Sequence, residues 1–282
     1  MKNAIEISDL TKHYSDFTLE SISFNVQAGY ITGFIGPNGA GKTTTLKAIL
    51  GMIHPDNGSI KVIGDDNTLI TNAEIGIVMD NSFFVEDWTT ADVGKVMQLF
   101  YSNWNSVLFN EYLKRFNISS TKKIRDLSRG MKVKLMLATA LSHDAKLLLL
   151  DEPTSGLDPV AREEICELLS EFVSDESHSV FFSTHITSDL ERIADYIVFI
   201  LNGRILYQGT KDELLESYRL VKGGLDEIDQ TIQEHAIGLR KFPTGFEAMI
   251  PVALLDSLST DLLIESVDLD QIIIFMNKEE RQ

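Results

Sequence analysis

At 282 residues the chain has room for one large domain and one small one. Apolar residues make up 44% and charged residues 24%, the balance of a globular protein with a real core. A formal charge of −17 excludes nucleic acid as the main ligand, since a phosphate backbone needs a basic footprint, but it leaves room for one basic nucleotide pocket.

The opening segments AIEISDL and FTLESISFNV alternate apolar and polar residues, with Ile22, Phe24 and Val26 on one face. They predict two half-buried strands of an antiparallel sheet. YITGFIG predicts a buried strand that runs into a glycine-rich loop and then a helix, KTTTLKAIL, ended by Gly51. From about 82 to 144 the texture changes: Trp88, Trp104, Phe83, Phe84, Phe100, Tyr101, Phe109, Tyr112 and Phe116 recur largely at helical spacing. This predicts an inserted helical subdomain whose aromatics form a core, or in part a groove for a partner helix. KLLLLD and SVFFSTH then predict buried parallel strands separated by a helix over 159–173, the rhythm of a doubly wound sheet. YIVFILNGRILYQG predicts a hairpin about its Asn-Gly turn. Past about 220 a small α+β appendage is expected, with Asp268 and Gln271 as the capping box of a last helix. The expected division is 1–218 and 219–282.

The start MKNAIEISDL has no apolar core of a signal peptide, and the longest apolar runs are strand-length, so no leader and no membrane span is expected. Cys166 is the only cysteine, which excludes an intrachain disulfide and reads as a small buried residue in a reducing compartment. His13, His54, His143, His178 and His235 are expected at exposed loop or helix positions.

Gly36-Pro37-Asn38-Gly39-Ala40-Gly41-Lys42-Thr43, followed by Thr44, lies between a predicted strand and a predicted helix, the setting that a P-loop requires. Its glycines let backbone N–H groups converge on phosphate oxygens, and the helix turns its positive end toward them. Lys42 is expected on the β- and γ-phosphates, and Thr43 offers a hydroxyl to magnesium. In KLLLLDEP, Asp151 ends a buried strand expected beside the P-loop strand, where a carboxylate can hold magnesium through water. Glu152 is then placed to orient an attacking water or take its proton. His185 follows an apolar strand and precedes a helix, as a ligand-end residue should.

RDLSRGMKVK, residues 125–134, is a helix start of unusual charge. Ser128 reads as its cap. Arg129, Lys132 and Lys134 fall in the first turns, where the helix dipole disfavours each cation by ~0.3–1 kcal/mol. Asp126 offsets part of this, and an anion held opposite the helix end would reverse the balance.

GPNGAGKTT, LSRGM, LLLLDEPTSGLDP and STH stand in the order and approximate spacing of ABC-type ATPases, so residues 3–215 resemble that family. The resemblance implies an α/β fold: a P-loop ABC-ATPase fold with a RecA-like core, an antiparallel β subdomain, an inserted helical subdomain and a small α+β C-terminal appendage. It implies ATP and Mg2+ as cofactors, with Gly36, Asn38, Gly39, Ala40, Gly41, Lys42, Thr43 and Thr44 at the phosphates. Ser128 and Gly130 would contact the γ-phosphate held by a second ATPase subunit, in a homodimer or heterodimer, with Arg129 as an extra anion contact. Asp158 belongs to the loop that would cross that interface, His185 would bond the γ-phosphate, and Tyr14 would stack on adenine. The chain departs from the family's pattern twice. Met131 cannot offer the bond that a glutamine gives a ribose hydroxyl. Asp80 stands where the family usually has a glutamine; a carboxylate is also a hard oxygen ligand, so Asp80 is expected to serve magnesium, with Asn81 as the alternative.

The expected function is an ATP-hydrolysing subunit that powers an ABC transporter through separate transmembrane permease subunits. Its place would be cytoplasmic, peripheral on the inner face of the membrane. The signature, Asp80 and the short appendage are similar to ATPases of bacterial ABC-2-type exporters of peptides, antibiotics or toxins. A soluble ABC ATPase without a transporter, and a nucleotide-gated regulatory module, are the competing readings; the presence of Glu152 weighs against the last.

Overall fold

The computed structural model describes residues 2–63, 65–66, 73–258 and 262–279. Asn3–His13 (β1) pairs antiparallel with Thr18–Gln27 (β2), and the alternation in β2 buries Ile22, Phe24 and Val26. Ile31–Ile35 (β3), buried along its whole length, leads through the glycine-rich loop into Lys42–Ile49 (α1). Asn57–Val62 (β4) and Asp65–Asp66 (β5) complete a sheet of order β2-β1-β4-β5.

Ile75–Val78 (β6) opens the central sheet, and three helices follow before the chain returns to it: Thr90–Phe100 (α2), Ser106–Arg115 (α3) and Arg129–Ser142 (α4). Leu147–Asp151 (β7), Pro159–Phe172 (α5), Ser179–Thr184 (β8), Thr187–Ile193 (α6), Tyr196–Leu201 (β9) and Arg204–Thr210 (β10) complete it. The strand order is β10-β9-β3-β8-β7-β6, parallel except for the β9–β10 hairpin. A parallel sheet needs both faces covered, which is why its strands read as unbroken apolar runs. On one face Phe24, Phe34 and Phe181 meet at ring-centroid distances of 5.2–5.8 Å and fasten the first sheet to the central one. Each such pair adds ~0.5–1.5 kcal/mol beyond its burial. The other face is covered by residues of α4, α5 and α6.

After Lys211–Glu216 (α7), the strands Tyr218–Gly223 (β11), Ile237–Phe242 (β12), Gly245–Pro251 (β13) and Leu263–Ser266 (β14) form an antiparallel sheet of order β12-β13-β11-β14. Gln230–His235 (α8) and Leu269–Glu279 (α9) cover it. The period of two sorts its side chains. Val221, Phe246 and Ala248 join Ile232 of α8 in a small separate core. Leu220 and Met249 face the other way and join Leu269, Ile272 and Phe275 of α9 in the core of the larger domain. The appendage is therefore welded on, through α9 against α6 and a 2.6 Å bond from the Leu269 N–H to Glu191 Oε1. Asp268 and Gln271 form the expected capping box, with reciprocal bonds of 2.7 and 3.1 Å.

Two expectations fail. The strand ending at Asp151 is not beside the P-loop strand, because β8 lies between β3 and β7. Apolar runs of similar length specify buried strands but not their order. His143, expected to be exposed, is buried and stacks on Tyr101 at a centroid distance of 3.9 Å, with Nδ1 2.9 Å from the Ala73 carbonyl oxygen. Burial pushes its pKa below the ordinary value, so it behaves as a flat apolar ring with one satisfied edge. His178, half-buried, stacks on Phe172 in the same manner at 4.4 Å.

Burial raises the Cys166 thiol to about 12. A raised pKa keeps the folded chain in the unreactive thiol form until strongly alkaline pH, whereas the unfolded thiol ionises near ~8.5. Alkylation by iodoacetamide at pH 8 is therefore expected to be negligible in the native protein and rapid in urea; fast native labelling would show Cys166 to be exposed.

Candidate nucleotide-binding site

The P-loop connects β3 to α1, and its backbone is held by its neighbours. Gly41 caps α1 with φ 114°, and a Cβ there would lie 2.6 Å from Leu19 Cδ2 and 2.9 Å from Phe17 Cζ. Conformation and space both demand glycine at that point. The loop walls a cleft of about 330 Å³ lined by Phe17, Asn38, Gly39, Gly41, Lys42, Thr43, Thr44 and Glu152. Gly36 and the buried Ala40 stand behind this lining.

Lys42 is buried and donates to the Gly36 carbonyl at 2.7 Å and the Pro37 carbonyl at 3.3 Å, with Glu152 Oε1 3.5 Å from its amine. Burial pushes the ammonium pKa down, and the Glu152 and Asp151 carboxylates oppose that shift. Thr43, one residue on, donates to Asp151 Oδ2 at 3.1 Å, and Ser183 of β8 donates to Asp151 Oδ1 at 2.8 Å. Burial still raises the Asp151 carboxyl above the usual range, and the acid charges of Glu152 and Asp80 add to the rise. Asp151 thus meets the first turn of α1 although β8 separates its strand from β3.

Glu152 has a left-handed backbone, φ 50°, a conformation that costs of order 1–3 kcal/mol for a residue with a side chain. Its N–H donates to the Ser183 carbonyl at 2.9 Å, and the turn aims the carboxylate into the cleft. There His185 Nδ1 lies 2.8 Å from Glu152 Oε2. One carboxylate oxygen thus faces Lys42 and the other His185, the placement of a base at a phosphate site.

Thr43 and Asp151 are adjacent hard oxygen donors at the positive end of α1, which suits a small hard cation. Among the described residues no three His, Cys, Asp or Glu side chains converge as a self-sufficient metal cage.

The remaining expected residues fall elsewhere. Tyr14 is exposed and does not line the cleft; Phe17, at the end of the same turn, does. Sequence reading missed Phe17, whose only signal was an aromatic residue one turn after Tyr14. Ser128 caps α4, accepting from the Met131 N–H at 3.3 Å, and Asp158 caps α5, accepting from the Ala161 N–H at 3.0 Å. Gly130 would meet only Leu157 and Ala161, at 3.5 and 3.8 Å, if it had a Cβ, so nothing inside the chain forbids a side chain there. The cations of this helix start are neutralised within the chain: Arg129 pairs with Asp80, Lys134 with Glu164, and Lys132 lies 4.0 Å from Glu86. The charge imbalance read from sequence is thereby corrected, because it counted only neighbours along the chain.

A glycine-rich loop entering a helix, a buried acid bonded to that helix's first turn and a second acid facing the loop lysine together have the form of a P-loop nucleoside triphosphatase site. The sequence profile of the ABC transporter family matches residues 19–155. The bacitracin transport ATP-binding protein BcrA of Bacillus licheniformis is 33% identical over 225 residues, which cover 78% of this chain and 74% of that protein. The Nod factor export ATP-binding protein I of Burkholderia lata is 35% identical over 225 residues, covering 76% and 73%. A solved ATP-binding subunit of an ABC transporter superposes with a TM-score of 0.66 at 27% identity, covering 75% of this chain and 91% of that one. The chain belongs to the ATP-binding subunits of ABC transporters. It binds and hydrolyses ATP to power transport, and it works with membrane components of a transporter.

Stacking a base on an aromatic ring is worth ~1–3 kcal/mol. Phe17→Ala is accordingly expected to weaken ATP binding about tenfold in equilibrium dialysis, and Tyr14→Ala less than about twofold. The opposite order would return the adenine contact to Tyr14.

Proposed function

We propose that this chain closes with a second ATPase subunit around two ATP molecules and thereby drives an exporter. The observation that carries this reading is that Lys42 and Glu152 face each other in one cleft, with His185 bonded to Glu152. Backbone N–H groups from Asn38 to Thr44 hold the phosphates, with Lys42 on the terminal pair. Glu152 accepts the proton of the attacking water, and His185 fixes the orientation of that carboxylate while facing the γ-phosphate. Thr43 and Asp151 are the residues we assign to magnesium, which when bound neutralises charge on the phosphates. Asp80 adjoins Asp151, but its carboxylate is paired with Arg129, so it is left out of that set.

The second half of each site comes from the partner. Ser128 and Gly130 present the positive end of α4, and the space left at Gly130 admits a phosphate approaching from outside the chain. Asp158, on the loop after Glu152, would run along the same interface.

The membrane partner meets a second feature. Leu50, Met52, Ile77, Phe83, Phe100 and Tyr101 are among the walls of an apolar groove of about 340 Å³ between α1, β6, α2 and α4. Phe100 is 76% exposed and Met52 60%. Exposed aromatics at a groove of this width suit an amphipathic helix of a permease subunit. Among the described residues no helix is long and apolar enough to cross a membrane. The setting we assign is the cytoplasmic face of the membrane. Export is the direction that fits relatives named for bacitracin transport and Nod factor export, with cargo selected by the membrane subunits. A charge of −17 argues against nucleic acid as the main ligand.

Glu152→Gln is expected to keep ATP binding and lower steady-state hydrolysis by about 100-fold or more. Equal rates would remove Glu152 from the mechanism. Phe100→Asp, at a surface position, is expected to leave the isolated subunit's ATPase intact and abolish recovery of a polytopic membrane protein in a detergent pull-down. Unchanged recovery would move the partner off this groove.

A further inference from the structure

Asp80, the acid that stands where the family usually has a glutamine, meets an arginine of the LSRGM segment. Arg129, at the first turn of α4, donates through Nη2 to Asp80 Oδ1, in the loop after β6. Its side chain also lies along Gly156, where a Cβ would stand 3.6 Å from both Arg129 Cδ and Nε. Gly156 has φ 69° and sits between Ser155 and Asp158 in the loop after β7. One guanidinium therefore ties the start of α4 to the loop after β6 and passes beside the Gly156 loop.

Each loop has separate business. The Asp80 loop has Met79 and Phe83 in the wall of the apolar groove, while Asp80 is close enough to Asp151 to add to its charge environment. The start of α4 carries Ser128 and Gly130, and the Gly156 loop follows directly from Glu152. A neutral pair of side chains at these two positions could make no such ion pair. An arginine alone at a helix N-terminus would be disfavoured by the dipole. An acid alone beside Asp151 would add repulsion at the cation site. Each charge removes the cost of the other.

We propose that Arg129 and Asp80 form one positioning device, a strap that fixes the start of α4 relative to the groove-lining loop and the Gly156 loop of the same chain. Asp80 acts through Arg129, and Arg129 acts on the placement of Ser128 and Gly130. The strap rests on the reading of the α4 start as the face that meets a second subunit's nucleotide. In that setting a shift of Met79 or Phe83 in the groove is carried to Ser128 through an ion pair between side chains.

The test is a charge-swap cycle on the full chain: Arg129→Asp, Asp80→Arg, and the double variant, with Arg129→Lys as the conservative change. Circular dichroism melts establish that each variant folds. ATP-dependent dimerisation of each is measured by light scattering in a Glu152→Gln background, and kcat and KM for ATP are measured with Glu152 intact. Each reversal is expected to weaken dimerisation and lower kcat by about three- to fivefold or more, the scale of a half-exposed ion pair, with KM for ATP little changed. The double variant is expected to recover most of the loss, and Arg129→Lys part of it. A double variant no better than the worse single one overturns the strap. So does an Asp80→Arg defect that is confined to the half-saturating magnesium concentration, because Asp80 then faces the cation. Ser128→Arg separates the two claims. Unchanged dimerisation in that variant overturns the reading of the α4 start and the strap with it, whereas lost dimerisation together with a failed rescue overturns the strap alone.

Discussion

Everything at the site depends on holding one buried carboxylate in place. Asp151 sits at the end of an all-apolar strand, and burial raises its carboxyl above the usual range. Hydrogen bonds from Ser183 and Thr43 oppose that tendency, and both donors come from other elements. Ser183 is delivered by the register of β8 against β7, in which it stands opposite Asp151. Thr43 is delivered by the P-loop turn at Gly41. The carboxylate we assign as the base follows at once in the chain, turned out of the sheet by the left-handed φ at Glu152. Sheet register and one strained residue thus place two adjacent acids differently, one inward against Thr43 and Ser183 and one outward into the cleft.

Much of this was legible in the sequence, for physical reasons. Glycine spacing in the P-loop, the leucine run before Asp151 and the Asn-Gly hairpin are local signals, and local signals survive without knowledge of the fold. Strand order was not legible: LLLLD and VFFST are equally apolar, and nothing in either says which lies beside ITGFI. His143 misled because its polar edge is satisfied by the Ala73 carbonyl, a partner 70 residues away in the chain. Phe17 was missed in favour of Tyr14 because the resemblance pointed to one tyrosine, whereas the turn at 14–17 decides which ring reaches the cleft.

The largest gap between sequence and structure concerns Arg129 and Asp80. Along the chain they are 49 residues apart and look like two unrelated charges. In space they are partners, and the local surplus of positive charge at the start of α4 largely disappears once Asp80, Glu86 and Glu164 are counted. The first turn of α4 keeps its free N–H groups and its positive end, while its side-chain charges are spent inside the chain. That arrangement leaves the helix start open, as suits the proposed contact with a phosphate on a second subunit. The appendage extends the same economy of contacts, since α9 completes the core against α6.

The most direct measurement is a crystal structure of the Glu152→Gln chain grown with magnesium and ATP. The account predicts two chains related head to tail, with each triphosphate between the P-loop of one and the Ser128–Gly130 turn of the other. Lys42 should have exchanged its bonds to the Gly36 and Pro37 carbonyls for phosphate oxygens, with Thr43 and Asp151 at the cation. A nucleotide contacted by one chain only, or a cation held away from Asp151, would contradict it.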